Sequence, residues 1–263
     1  MKKIFLILLM VFVALPVFAD SFNYGVNEIT IPDGNPDADH TYTNSWYNGS
    51  GGVTKEDQEV EPGMSTDQKW DLEGFFFEEN KLSMVGGFDF MNGVTVAGRT
   101  WTSGDIFISK TKPDFGDITD TSTSGNLSVS NAYGFDYVFD LNFDGMTYDV
   151  IQLGDDATVL TADVADNQGS NPWKYDGGGT VIKSGLSFFS LTNVDTDFMG
   201  DSHYALTGFD LLFLGHETEF YSHFTMECGN DNLMGKGAVV PEPAPMMLLG
   251  SGLVGLGFYR RKR

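Results

Sequence analysis

The chain has 263 residues, with 15 Lys+Arg against 37 Asp+Glu, a formal charge of −22, 41% hydrophobic residues, 22 Phe, 32 Gly and one Cys. No cluster of Lys and Arg in its middle is available to displace counterions from phosphates, which excludes a nucleic-acid partner, and the hydrophobic content is too high for a charge-swollen coil. A lone Cys228 excludes an intrachain disulfide scaffold, so stability must come from core packing and sheet pairing.

Met1, Lys2 and Lys3 precede an apolar run from Ile4 to Leu15, a turn at Pro16, and Val17-Phe18-Ala19. This is the order of a secretory signal peptide, residues 1–19, with cleavage expected between Ala19 and Asp20; the apolar run is short of the roughly 20 residues a spanning helix needs. From Ser21 to about Thr66 the chain is polar and turn-rich, with Asp33-Gly34-Asn35-Pro36 and Asn48-Gly49-Ser50-Gly51-Gly52, and reads as short strands with long loops.

From Trp70 onward, short aromatic and β-branched runs recur between Gly, Asn and Asp clusters: 72–77, 82–85, 94–96 and 105–108. The clearest element is a hairpin. Tyr137, Phe139, Leu141 and Phe143 alternate with Asp136, Val138, Asp140 and Asn142, Asp144-Gly145 follows, and a second run extends from Met146 to Leu153. A two-residue type I′ turn at this place requires positive φ at Gly145. Runs at 181–191, 204–214 and 220–226 have the same character. Strands at this spacing without intervening helices predict an all-β fold, an antiparallel β-sandwich or jelly roll spanning residues 20–236, with 237–263 as a linker and tail, the flexible stretch beginning at Gly235-Lys236-Gly237.

Several side-chain sets suggest chemistry. Asp140, Asn142, Asp144 and Gly145 form D-x-N-x-D-G, the first half of a calcium loop, but the twelfth position is Ile151 instead of a bidentate Glu, and as strand residues the same acids simply face solvent. Further acidic loops lie at Asp33, Asp37 and Asp39; at Asp114, Asp117 and Asp120; at Asp155 and Asp156; and at Asp195, Asp197 and Asp201. Calcium is the one ion these loops suit, and no other cofactor is expected. His216-Glu217 lacks the second His of a zinc-protease motif, since position 220 is Phe220. Cys228 becomes a nucleophile only if folding brings it to His203, His216 or His223, and otherwise is a buried thiol. Trp46, Trp70, Trp101 and Trp173 offer flat faces that either stack on a sugar or pack in the sheets, and Trp173, between Asn171-Pro172 and Asp176-Gly177-Gly178-Gly179, is the one expected to be exposed in a loop.

The other end runs Val240-Pro241-Glu242-Pro243, an apolar Gly-rich stretch from Met246 to Tyr259, and Arg260-Arg261-Lys262-Arg263. As a helix at about 1.5 Å per residue the apolar stretch is near 21 Å, a marginal span for a bilayer core of about 30 Å, and the basic end would stay cytoplasmic. Pro241-Glu242-Pro243, the short apolar helix and the cluster containing Arg260 and Arg261 resemble the PEP-CTERM sorting signal. The resemblance implies processing near Pro-Glu-Pro by an exosortase, a membrane-embedded transpeptidase-like enzyme, after transient residence in the inner membrane. It also implies delivery to the cell surface or extracellular matrix of an exopolysaccharide-producing Gram-negative bacterium. The segments 70–75, 85–90, 103–108 and 226–231 are similar to stretches in the bodies of other PEP-CTERM proteins of unassigned function.

Six of the 15 basic residues and one of the 37 acidic residues lie in the two ends, leaving the body with 9 against 36 and a net charge of −27. Such a polyanion is repelled by acidic polysaccharide unless divalent cations bridge the two. The resemblance to PEP-CTERM proteins implies a secreted, non-enzymatic surface or matrix protein of an exopolysaccharide biofilm, whereas composition and strand pattern by themselves give only an acidic β domain. A carbohydrate-binding module using exposed aromatics is the alternative, and a polysaccharide-acting enzyme would need a cleft with two acids of divergent pKa.

Overall fold

The computed structural model describes residues 21–23, 25–31, 60, 64–65, 67–113, 125–163 and 170–240. The signal peptide with its Ala19-Asp20 junction, Trp46, the acidic loops at 33–39 and 114–120, and the tail carrying Pro241, Glu242, Pro243, Arg260 and Arg261 lie outside the described residues.

In chain order the strands are β1 Ser21–Phe22, β2 Leu72–Glu78, β3 Lys81–Gly86, β4 Val94–Val96, β5 Arg99–Trp101, β6 Ile106–Ser109, β7 Ser128–Ser130, β8 Tyr137–Asn142 and β9 Thr147–Gln152. They continue as β10 Thr158–Leu160, β11 Lys174–Gly177, β12 Thr180–Ser187, β13 Phe189–Thr192, β14 Asp195–Thr196, β15 Tyr204–Asp210, β16 Glu219–Thr225 and β17 Asn232–Ala238. Among the described residues only two 3₁₀ turns, Gln68–Trp70 and Leu212–Leu214, are helical, and none is long and apolar enough to cross a membrane. The fold is all-β, and among the described residues every strand pairing except the short parallel pair β1–β14 is antiparallel.

A six-stranded sheet in the order β12-β9-β8-β6-β16-β17 packs on a four-stranded sheet in the order β13-β15-β3-β2. Their facing side chains form one core. Ile106, Ile108, Phe139, Val150, Phe220 and Phe224 come from the first sheet, and Phe75, Leu82, Met84, Leu206 and Phe209 from the second. Each fully buried Phe or Leu contributes about 1.5–3 kcal/mol, so this layer supplies what the absent disulfides do not. Strand alternation sends Phe107, Val138, Ile151 and Met234 to the opposite face of the six-stranded sheet, where Tyr133, Phe135 and Val159 bury them beneath the small sheet β11-β10-β7. Tyr137, Val138 and Phe139 are therefore buried consecutively, because β8 is covered on both faces.

Two expectations need correction. The hairpin β8–β9 is in register, with Asn142 opposite Thr147, but its loop has four residues, Phe143 to Met146, and the positive φ of 51° falls on Met146 and not on Gly145. Asn142 Oδ1 accepts the Gly145 N–H at 3.1 Å and holds this wider turn. Gly145→Ala should change unfolding free energy by less than about 1 kcal/mol in urea titration, since no left-handed conformation is required there; a larger loss would restore the tight turn.

The second correction concerns the linker placed from residue 237. Residues 232–238 are β17, paired with β16 at every position from Thr225–Asn232 to Glu219–Ala238. The glycines that read as flexible are there for close approach: a Cβ on Gly235 would lie 2.4 Å from Ser222 Oγ, and one on Gly237 would lie 2.6 Å from the Phe220 ring.

Candidate functional site

Asp140, Asn142 and Asp144 are spread along the β8–β9 hairpin. Asp140 is half-buried in β8 opposite Asp149, Asn142 is engaged with the Gly145 N–H, and Asp144 is exposed in the loop. Burial raises the Asp140 carboxyl, with repulsion from Asp149 adding to it and Lys174 opposing. Among the described residues no three His, Cys, Asp or Glu side chains are grouped as a metal would need. Asp155, Asp156, Asp195, Asp197 and Asp201 sit on exposed turns or strand ends.

Trp173 is 5% exposed, which corrects the expectation of a free ring. The loop is a sheet connection: the Trp173 N–H reaches Leu160 O at 3.0 Å, its carbonyl accepts from Asp105 N at 2.8 Å, and its indole N–H donates to Asn126 Oδ1 at 3.0 Å. Neither face of the indole is open to stack on a sugar. Trp70 is buried as well, and the half-exposed Trp101 is covered by the Arg99 guanidinium at 3.7 Å from its ring.

Of the groups read as possible catalysts, His203, His223 and Cys228 are buried and His216 is exposed. His223 is fully buried, stacks on Phe135 at 5.5 Å and donates from Nε2 to Pro172 O at 3.0 Å; burial pushes its pKa down to about 4. His203 lies 3.2 Å from buried Glu73, on the outer side of the four-stranded sheet. His216 is exposed, while Phe220 and His223 are buried in β16, so no helical zinc face exists there. Cys228 belongs to the main core at 4% exposure, and burial pushes its thiol up to about 12. It should resist maleimide labelling in the native protein and react within minutes in guanidinium; fast native labelling would show a reactive site.

What the fold builds with most care near a functional segment is the end of β17. Val239 is fully buried, its N–H donates to Thr218 O at 3.0 Å, and its carbonyl accepts from Glu217 N at 2.7 Å. The next N–H, on half-exposed Val240, donates to Asn80 Oδ1 at 2.9 Å. Asn80 is itself 2% exposed, held at φ 61° in the β2–β3 turn, with its carbonyl accepting from Leu211 N at 3.0 Å. In the sequence Asn80 looks like an ordinary turn residue after Glu78-Glu79, and nothing local signals a partner 160 positions away.

Comparison with known proteins bears on this end of the chain. Residues 239–263 match the family described as PEP-CTERM protein-sorting motif. No curated protein and no solved structure matches the chain. The match begins at Val239, which is buried directly after β17. The chain thus carries a PEP-CTERM protein-sorting motif, the mark of an exported protein that is processed by an exosortase and sorted to the cell surface.

Proposed function

We propose that this is a non-enzymatic surface or matrix protein whose acidic sandwich is retained in exopolysaccharide and contributes to a biofilm. The observation that supports the reading most is the joining of a sorting motif to a body in which Cys228 lies in the core, His223 lies under an aromatic stack and Trp173 is walled in. A body of net charge −27 stays in an acidic polysaccharide only with divalent cations between them, so calcium acts as a bridge spread over many surface carboxylates.

The test is cosedimentation of the exported protein with exopolysaccharide from the producing cell. Retention in millimolar calcium and release by chelator, with no new reducing ends in the polysaccharide, is the expected result. Retention that survives chelator and is competed by one short oligosaccharide would replace this reading with a lectin, and shortening of the polymer would replace it with an enzyme. Equal retention with the polymer removed would sink all three.

A further inference from the structure

The sorting motif has no spacer. Residues up to Val240 are fastened to the sandwich by the Thr218, Glu217 and Asn80 hydrogen bonds, and Pro241 is the next residue. Six Cα steps separate Val240 from Met246, where the apolar stretch begins, and a fully extended chain covers at most about 21 Å over that distance. Pro243 lies at most about 11 Å from Val240 on the same scale. An enzyme that acts on the chain near Pro-Glu-Pro, with its reactive group at a membrane, cannot reach the bond without meeting the folded body.

The part of the body it meets is defined by the clamp. Asn80 sits in the β2–β3 turn beside exposed Glu78 and Glu79, and Val239 pairs with the segment carrying exposed Glu217 and Glu219. Lys236 is committed to Glu219 at 3.3 Å, and Lys81 is half-buried. With Glu219 offset by Lys236, exposed Glu78, Glu79 and Glu217 near the junction are repelled by anionic lipid headgroups, which makes bare membrane a poor partner for this end.

Resting on the sorting reading above, we propose that the clamp end of the sandwich, the β2–β3 turn together with the 215–219 segment, is a docking surface for the exosortase. The enzyme then takes its substrate as a folded body with the motif presented at a fixed place, and the partner's matching surface carries positive or hydrogen-bond-donating groups facing Glu79 and Glu217. Val240 remains strapped to Asn80 after the tail is removed.

The experiment places a photo-crosslinking benzoylphenylalanine at Glu79, Glu217, Thr95 or Ala244 of the full chain, in producing cells whose exosortase is catalytically inactive. Thr95 lies on the exposed β4–β5 hairpin, which Arg99 ties to Glu227 in the opposite turn of β16–β17 at 3.0 Å. Adducts with the enzyme from positions 79 and 217 should exceed those from 95 at least fivefold. A twelve-residue Gly/Ser insertion after Val240 should reduce the 79 and 217 adducts at least fivefold and leave the 244 adduct in place. Strong labelling from 244 with 79 and 217 no better than 95, or labelling of lipid alone from 79 and 217, overturns the docking surface while leaving the sorting reading intact. No enzyme adduct from 244 overturns the sorting reading itself, and the docking surface with it.

Discussion

Replacing Asp105 by Ala should cost about 3–5 kcal/mol, a large share of the 5–15 kcal/mol by which domains are stable. Asp105 is 1% exposed, and its carboxylate accepts two backbone donors from different sheets: Leu141 N at Oδ1 and Tyr175 N at Oδ2, both at 2.9 Å. The first bond extends the β6–β8 ladder beyond its last pair, Ile106 with Phe139, and the second fastens β11 of the small sheet to the large one. Alanine leaves the buried Leu141 N–H and the part-buried Tyr175 N–H without their acceptor, each at about 1–3 kcal/mol. Gly104 is part of the same junction, since a Cβ there would lie 2.1 Å from Trp173 O and 2.4 Å from Thr225 O. Equilibrium denaturation in urea at pH 7 checks the effect; a loss below about 1 kcal/mol would mean that the small sheet is held by other contacts.

The same residue sets a pH signature. Burial pushes the Asp105 carboxyl up to about 7, with Asp140 adding repulsion, against the lowering effects of the Leu141 N–H, Lys174 and the Tyr175 N–H. A carboxyl raised above its unfolded value holds a proton in the native state that the unfolded chain has released, so its contribution is complete below about pH 4 and is lost as pH rises toward 7. His223 does the opposite: lowered to about 4, it opposes protonation in the fold, and its contribution is lost as pH falls from 6.5 toward 4. The two slopes offset each other between pH 4 and 6.5. Asp105→Asn removes one of them, so the stability of the variant relative to the parent should climb by up to about 1.4 kcal/mol per pH unit between pH 5 and 6.5. A difference independent of pH would show that Asp105 is ionised throughout.

The hairpin β8–β9 was legible because period-2 alternation and a local turn signal agree over consecutive residues, and both are short-range properties. Its loop was not, because Asn142 selects the turn through its own side chain, and an Asp-Gly pair two residues on suggests a tighter one. β17 was misread for a related reason. Glycine reports equally well on flexibility and on close approach, and only the Phe220 ring and Ser222 hydroxyl across the sheet decide which applies at Gly235 and Gly237. Trp173 sits among turn residues in sequence, yet β10, Asp105 and Asn126, separated from it by 13 to 68 positions, wall it in. The sorting motif was readable in full because its recognition depends on residue order in one short segment, whereas its fastening to Asn80 depends on a contact across 160 residues.

Phe209→Ala should destabilise the body by about 3–5 kcal/mol, because one ring joins both sheets and their crossover. Phe209 projects from β15 of the four-stranded sheet and stacks on Phe139 of β8 at 5.8 Å with 15° between planes. It meets Tyr148 of β9 edge-on at 5.2 Å and stacks on Phe188 at 5.5 Å. Phe188 is the single residue between β12, an edge of one sheet, and β13, an edge of the other, so it marks where the chain changes layers. The bulge between Thr207 and Phe209, with Gly208 at φ 101°, turns the ring into this position. Alanine removes the aromatic contacts and leaves a cavity that three other rings, two held by β8 and β9 and the third by the crossover between β12 and β13, are poorly placed to fill. Leu at the same site should recover more than half of the loss, and Ala at Phe189, 49% exposed, should cost less than about 1 kcal/mol. Urea midpoints with an unchanged m-value would assign these differences to the native packing. Equal effects at Phe209 and Phe189 would mean that the two sheets do not close on this aromatic junction.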